Sequence, residues 1–170
     1  EGRIIQIAWM RKGQYPDMPF DQQMSFPCDL SLKQTAEGLR ICRIPVNEIS
    51  HIYEGKNDYS NLEISKNMSF QPIHSSNNLD MSFELDVSKV TKFMLCVQDQ
   101  IISFNLDSLL ISCQEETIPF TANNGKMNLR VLVDTTSIEL FINDGLISIS
   151  NCYLPDNDEE NAKTGLCVTE

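Results

Sequence analysis

A chain of 170 residues with 41% hydrophobic and 22% charged residues can bury a core of its own and is too apolar for a disordered segment. Its formal net charge of -11 is uneven: residues 1–50 hold six basic and six acidic side chains, residues 51–170 seven basic and eighteen acidic. An acidic surface of this kind repels phosphate backbones and anionic headgroups, which excludes nucleic acid and membrane as partners and leaves a neutral ligand such as a sugar unpenalised. No apolar run approaches the ~18 residues needed to span a bilayer. The opening Glu1-Gly2, with no initiator Met and no basic-then-apolar leader, is expected of a chain that has been processed or that begins within a longer protein.

Arg3 to Met10 reads as a strand with apolar residues on both faces, Ile4, Ala8 and Met10 on one and Ile5, Ile7 and Trp9 on the other, which predicts cover on both sides. Gly13 to Phe20, with Pro16 and Pro19, reads as a loop. Gln23 to Leu32 resumes as a strand interrupted at Pro27. Gly38 to Ile44 follows, with Leu39 and Ile41 alternating against Arg40 and Cys42, so that three strands form one antiparallel unit. Pro45 to Tyr53 then changes period. Val46, Ile49 and Ile52 follow helical spacing, Pro45 suits a first helical turn and Gly55 the residue past the end. This predicts a short linker helix, and because it coincides with the change in charge, a domain boundary between 1–54 and 55–170.

Beyond the linker the pattern is strands only: Leu62–Ser65, Met81–Val87, Phe93–Gln98, Ile101–Leu106, a meander over Leu129–Cys152, and Gly165–Thr169. Regular short strands with turn signals predict an antiparallel β-sandwich of two sheets, jelly-roll-like or concanavalin-like. The meander specifies its own register. A two-residue loop at Thr135-Thr136 pairs Val133 with Ile138, Val131 with Leu140 and Leu129 with Ile142. A second at Asp144-Gly145 pairs Ile142 with Ile147 and Leu140 with Ile149. All of these share one face, and a slip of one residue would insert Glu139 or Arg130 into it. Phe141, Glu139, Ser148 and Ser150 fall on the other face, predicted to be at least partly solvated. The six cysteines are widely spaced with no Cys-x-x-Cys pair, which argues against zinc, and several sit in apolar strands where a thiol serves as a small hydrophobe.

Several segments together resemble glycoside hydrolase family thirty-two, the invertases, levanases and inulinases. Gly2 to Met10, Met24-Ser25-Phe26-Pro27-Cys28-Asp29-Leu30-Ser31-Leu32, Gly38-Leu39 and Pro45-Val46-Asn47-Glu48-Ile49 follow that family's Gly-Arg-Arg-apolar-apolar-x-Gly-Trp-Met, Met-Ser-Leu-Pro-Arg-Glu-Leu-x-Leu and Pro-Val-x-Glu-Leu. Val133 to Gly145 resembles the late strands of its C-terminal sandwich. The resemblance implies about three final strands of an incomplete propeller blade, then the linker helix, then the sandwich, in an exported enzyme whose catalytic propeller lies upstream as the chain's partner. Cys28 and Asp29 depart from the family's Arg and Glu, and Gly13 lies near where many members carry a second tryptophan. The family's Asn-Asp-Pro and Arg-Asp-Pro segments and its Glu-Cys pair do not occur in this sequence. A retaining glycosidase needs two carboxyls ~5–5.5 Å apart, so no residue here inherits a catalytic role.

Trp9, Tyr15 and Phe20 are the candidate carbohydrate-binding residues: Trp9 by stacking, unless it is core, and Tyr15 and Phe20 as a cleft rim, unless they anchor their loop. Phe141, Tyr53 and Tyr59 are further aromatics for an auxiliary sugar platform. His51 and His74 have no Cys, Asp or Ser motif around them, and Asp156–Glu160 lacks the glycine and spaced ligands of a calcium loop, so neither cofactor nor metal is expected. The function implied is the non-catalytic C-terminal portion of a fructan- or sucrose-cleaving hydrolase, with a free-standing lectin-like sandwich as the alternative. A laminin-type adhesion module fits the meander but not residues 3–49. The orphaned strands predict that the isolated chain pairs with itself, as a homodimer through residues 3–32.

Overall fold

The computed structural model describes residues 2–11, 13, 15, 17–72, 78–98, 100–122, 124–154 and 164–169. Fifteen strands and one short helix are defined among them. In chain order the first strands are β1 (Ile5–Gln6), β2 (Trp9–Met10), β3 (Gln23–Met24), β4 (Cys28–Thr35) and β5 (Gly38–Pro45), followed by a 3-10 helix (Asn47–Ile52). There follow β6 (Ser69–Phe70), β7 (Leu79–Asp86), β8 (Lys92–Val97), β9 (Gln100–Asn105), β10 (Leu110–Cys113), β11 (Glu116–Pro119), β12 (Lys126–Asp134), β13 (Ser137–Ile142), β14 (Ile147–Cys152) and β15 (Gly165–Val168). These strands pair antiparallel, in sheets ordered β1-β4-β5, β2-β3, β14-β13-β12-β7 and β11-β10-β9-β8-β15-β6. The chain divides into two compact units: residues 1–56, 78–83 and 128–154 form the first, residues 57–77, 84–127 and 155–170 the second.

The meander of the first unit has the register its sequence specifies. Leu129 faces Ile142, Val131 faces Leu140 and Val133 faces Ile138 across β12 and β13, while Leu140 faces Ile149 and Ile142 faces Ile147 across β13 and β14. Asp144 and Gly145 both have positive φ (59° and 75°), the geometry of a primed hairpin turn, and the Leu146 N–H donates to the Asn143 carbonyl. The second face of the meander is not solvated, contrary to the expectation from alternation. Glu139 and Phe141 are buried because Cys28, Val46 and Ile49 cover that face, clustering with Leu132 and Phe141 and flanked by Phe26. Every residue of β13 is buried as a result.

Four further expectations are corrected. The strand over residues 3–10 breaks into β1 and β2 because its partner is interrupted: Pro27 has no N–H, and at the break Ala8 and Ser25 exchange bonds, with Ser25 N–H donating to Ala8 O (2.7 Å) and Ala8 N–H to Ser25 Oγ (2.9 Å). Nor is that segment covered on both sides, since Ile4, Ile5, Ile7 and Trp9 are about half exposed or more. The linker helix is a 3-10 turn that starts two residues after Pro45, which ends β5 instead, and Tyr53 closes it in extended conformation without help from Gly55. Leu62–Ser65 forms no strand. Its place in the sheet is taken by Ser69–Phe70, which pairs with β15.

In the second unit Phe93 and Phe104 stack at 4.4 Å between ring centroids and Phe120 meets Phe104 edge-on at 6.2 Å, with Leu95, Val97, Ile102 and Ile111 fully buried around them. Strands β10 and β11 have no counterpart in the sequence reading. They are four residues each, joined at Gln114 in left-handed conformation, and β11 ends on Pro119 at the sheet edge, where a missing donor is tolerated. All six cysteines are thiols.

Gly145 has positive φ and a side chain there would collide with the Arg43 carbonyl. Gly145→Val is therefore expected to destabilise the first unit by about 1–3 kcal/mol from backbone conformation alone, with a further steric cost. An unchanged melting temperature would contradict the meander register.

Candidate functional site

The residues singled out for carbohydrate contact lie on the first unit. Trp9, on β2 opposite Met24, is 50% exposed and its indole lies under the Arg11 guanidinium, 5.1 Å from the ring centroid. Tyr15 and Phe20 meet each other at 5.3 Å with tilted rings. The Tyr15 hydroxyl lies 3.8 Å from Cys152 Sγ on β14, and the Gln23 amide donates to both Cys152 Sγ (3.2 Å) and the Thr136 carbonyl (3.2 Å) while accepting from the Thr136 hydroxyl (2.8 Å). Tyr15 is thus anchored to the meander, and burial together with the Cys152 contact pushes its phenol above the ordinary range. Among the described residues no ring contact joins Trp9 to this pair. The auxiliary aromatics do not form one platform: Phe141 is buried, Tyr53 bonds Asp80, and Tyr59 packs edge-on against Phe70 in the second unit. His51 is exposed on the 3-10 turn, and His74 and Asp156–Glu160 lie outside the described residues.

The segments that carried the family resemblance converge on one ion cluster. Arg3 donates through Nε and Nη2 to both oxygens of Asp29 (2.8 and 2.7 Å) and through Nη1 and Nη2 to both oxygens of Glu48 (2.7 and 3.1 Å). One guanidinium fork therefore ties the start of the chain to β4 and to the 3-10 turn. The Arg3 bonds hold the Asp29 carboxyl below the ordinary carboxylate range and pull Glu48 down to about 2. Both groups are ionised at neutral pH, so neither can deliver a proton to a leaving oxygen. The pairing is a clamp and not an acid/base couple.

A second cluster is sealed inside. The Glu139 carboxylate, 0% exposed, accepts the Phe26 N–H (2.6 Å) and the Ser150 hydroxyl (2.6 Å) with the Arg43 guanidinium 3.9 Å away. Burial pushes its pKa above the ordinary value, with the Ser150 and Phe26 bonds and Arg43 opposing. The adjacent Cys28 thiol is likewise raised by burial. A third cluster joins Asp80 on β7 to Arg130 through two bonds (3.0 and 2.7 Å) and to the Tyr53 hydroxyl.

In the second unit the sheet carries a shallow recess of about 280 Å³ edged by Lys92, Met94, Ser103, Asn105, Leu110 and Ser112. None of its described lining residues is an Asp, Glu or His. Among the described residues no group of three or more His, Cys, Asp or Glu converges to hold a metal, and no helix is long and apolar enough to cross a membrane.

The described residues form an all-β chain of antiparallel sheets with a 3-10 turn after its first five strands. Residues 48–168 match the family model described as Glycosyl hydrolases family 32 C terminal, and the chain belongs to that family. It is similar to the levanase of Bacillus subtilis (strain 168), 27% identical over 188 residues, and to a levanase of Bacillus sp. (strain L7), 27% identical over 187 residues. These similarities cover 94% and 92% of this chain but only 28% and 20% of the two relatives. The first covers more of the chain than the family match does, and so reaches into the residues ahead of 48. In fold it is similar to the exo-inulinase from Aspergillus awamori, with a TM-score of 0.81 at 19% identity, over 97% of this chain and 37% of that one. The antiparallel β-sandwich with its preceding blade strands is thus the fold class of the chain.

Sequence reasoning missed the roles of Arg3 and Glu139. Arg3, Asp29 and Glu48 were visible as motif positions, but nothing in their spacing says that they meet. The Glu48 carboxyl should titrate near 2 by carbon-13 NMR and return toward 4.5 in Arg3→Met. Because its folded pKa is depressed, its contribution to stability is present above 4.5 and lost as pH falls toward 2. An unperturbed midpoint would mean the clamp does not form.

Proposed function

We propose that the chain is the non-catalytic C-terminal portion of a fructan- or sucrose-cleaving glycoside hydrolase, serving to hold and stabilise a catalytic propeller. In this reading residues 1–54 are the last strands of a propeller blade with their linker and residues 55–170 are the sandwich. The boundary at residue 54 is one of origin rather than of packing, since residues 128–154 cluster with the leading segment. The observation that carries the reading is the exposure, on both faces of the leading segment, of Ile4, Ile5, Ile7, Trp9 and Met24, each about half exposed or more. Apolar side chains left open in this way fit a partner domain. The upstream propeller is the partner whose own blade these strands would complete, and in its absence a second copy would take its place on residues 3–32. Trp9 and the Tyr15–Phe20 pair, on the same segment, are assigned to neutral-carbohydrate contact at its rim.

The test is hydrolysis and binding by the pure chain. No fructose should be released from sucrose, inulin or levan. Release that one Asp or Glu substitution abolishes would overturn the assignment. Titration with the same three carbohydrates separates the alternative, because tight binding by this chain alone would favour a free-standing lectin-like module.

A further inference from the structure

We infer that the leading segment carries a pH-tuned fastening in which two carboxyl systems act in opposite senses. The open pair Asp29 and Glu48 holds that segment together on Arg3 when ionised, and the sealed Glu139 seats it on the meander when neutral. All of these groups belong to the first unit, and none of them depends on an upstream propeller.

The surroundings of Glu139 suit a neutral carboxyl better than a charged one. The side chain is fully buried, and two neutral donors meet it at 2.6 Å, the Phe26 N–H on Oε1 and the Ser150 hydroxyl on Oε2. No guanidinium hydrogen reaches it. Arg43 Nη2 stops 3.9 Å from Oε2, Nη1 donates to Ser148 Oγ at 3.1 Å, and Nε is buried without a partner among the described residues. An ionised Glu139 is therefore desolvated without a charge-assisted hydrogen bond to offset the cost. A proton on Oε2 reverses one bond and moves no atom: Glu139 then donates to Ser150 Oγ while Oε1 goes on accepting from Phe26. Ser150 is exposed, so its own hydroxyl hydrogen turns to solvent.

The other groups packed on Glu139 leave that proton in place. Cys28 on β4 is a thiol that burial pushes up, hence neutral in acid. Leu132 on β12 and Ile49 on the 3-10 turn are apolar, and Arg130 on β12 is bonded to Asp80. Burial accordingly sets the direction at Glu139, upward from 4.5, against the Ser150 and Phe26 bonds and Arg43. The clamp is the reverse case. Arg3 donates two bonds to each of Asp29 and Glu48 at the surface, and the charge of His51 acts on Glu48 in the same sense. Stability from Glu48 in the clamp is complete above 4.5 and falls away toward 2, whereas stability from Glu139 is complete below 4.5 and falls away as pH rises through its raised folded pKa. The two limbs meet near 4.5, and toward neutral pH the seat on the meander weakens.

Native-state amide exchange of the 170-residue chain, corrected for intrinsic chemistry and followed from about pH 3 to about pH 8, is the test. The opening constant read at the Phe26 and Arg43 amides should pass through a minimum near 4.5. Above the minimum it should rise by at most about tenfold per pH unit, the limit for one proton, and below it more steeply, because two carboxylates are lost. Glu139→Gln, which reproduces both contacts of the neutral carboxyl, should lose the upper limb and keep the acid one, and Arg3→Met should do the opposite. An opening constant that stays flat above 4.5, or an upper limb that survives in Glu139→Gln, overturns the inference. Should either variant fail to fold, the carbon-13 midpoint of the Glu139 carboxyl in the unaltered chain decides: above 4.5 it upholds the fastening, at or below 4.5 it overturns it.

Discussion

Glu139 projects from the middle strand of the meander into a layer built by Phe26, Cys28, Val46 and Ile49, where its carboxylate takes the Phe26 N–H and the Ser150 hydroxyl and faces Arg43. Burying a carboxylate is costly unless its lone pairs are met, and here the Phe26 N–H and the Ser150 hydroxyl, from two separate stretches of chain, donate to it while Arg43 at 3.9 Å adds only its charge. The consequence is positional. The Phe26 amide can satisfy Glu139 only if Pro27 and the start of β4 lie across β13, and Arg43 can reach the cluster only if β5 runs beside Gly145. The Arg3 clamp then fixes the first residues to β4 and to the 3-10 turn, on the solvent side of the same layer. The sealed cluster thus holds the leading segment to the meander, and the open one ties that segment's own strands and 3-10 turn together. The exposed pair Lys33 and Asp144 adds little, as surface ion pairs do.

How much of this was legible depended on whether the information was local. The meander register was, because a period of two leaves no freedom once a turn is fixed, and Asp144-Gly145 fixes it. The burial of β13 on both faces was not: Glu139 and Ser150 look like a solvated face, and nothing near them in sequence announces that Phe26 and Cys28, more than a hundred residues away, will cover it. A polar residue in a strand signals solvent only when no distant donor arrives. The opposite error occurred at Ile4 to Trp9, where apolar residues on both faces suggested burial and the side chains are exposed. Strands β10 and β11 escaped notice for a third reason, being four residues long with a charged turn and a terminal proline. Of the candidate residues, Tyr15 and Phe20 meet each other, while Trp9 meets Arg11.

The motif positions shared with glycosyl hydrolases family 32 take on physical meaning in this arrangement. Gly2-Arg3, Asp29 and Glu48 lie in three separate motifs, yet they form one guanidinium with two carboxylates. Asp29, which departs from the family's Glu, reaches Arg3 with both oxygens. What these positions secure is the start of the chain against β4 and the 3-10 turn.

Amide hydrogen exchange measured residue by residue tests the central claim, that the leading segment and the meander open as one cooperative unit through Glu139. The amides of Phe26 and Arg43 should exchange with the same opening free energy as those of Leu140 and Phe141 in β13, within about 1.4 kcal/mol or tenfold in rate. Exchange at Phe26 and Arg43 that is orders of magnitude faster, with β13 still protected, would show the leading strands to be an appendage and the Glu139 layer to be incidental.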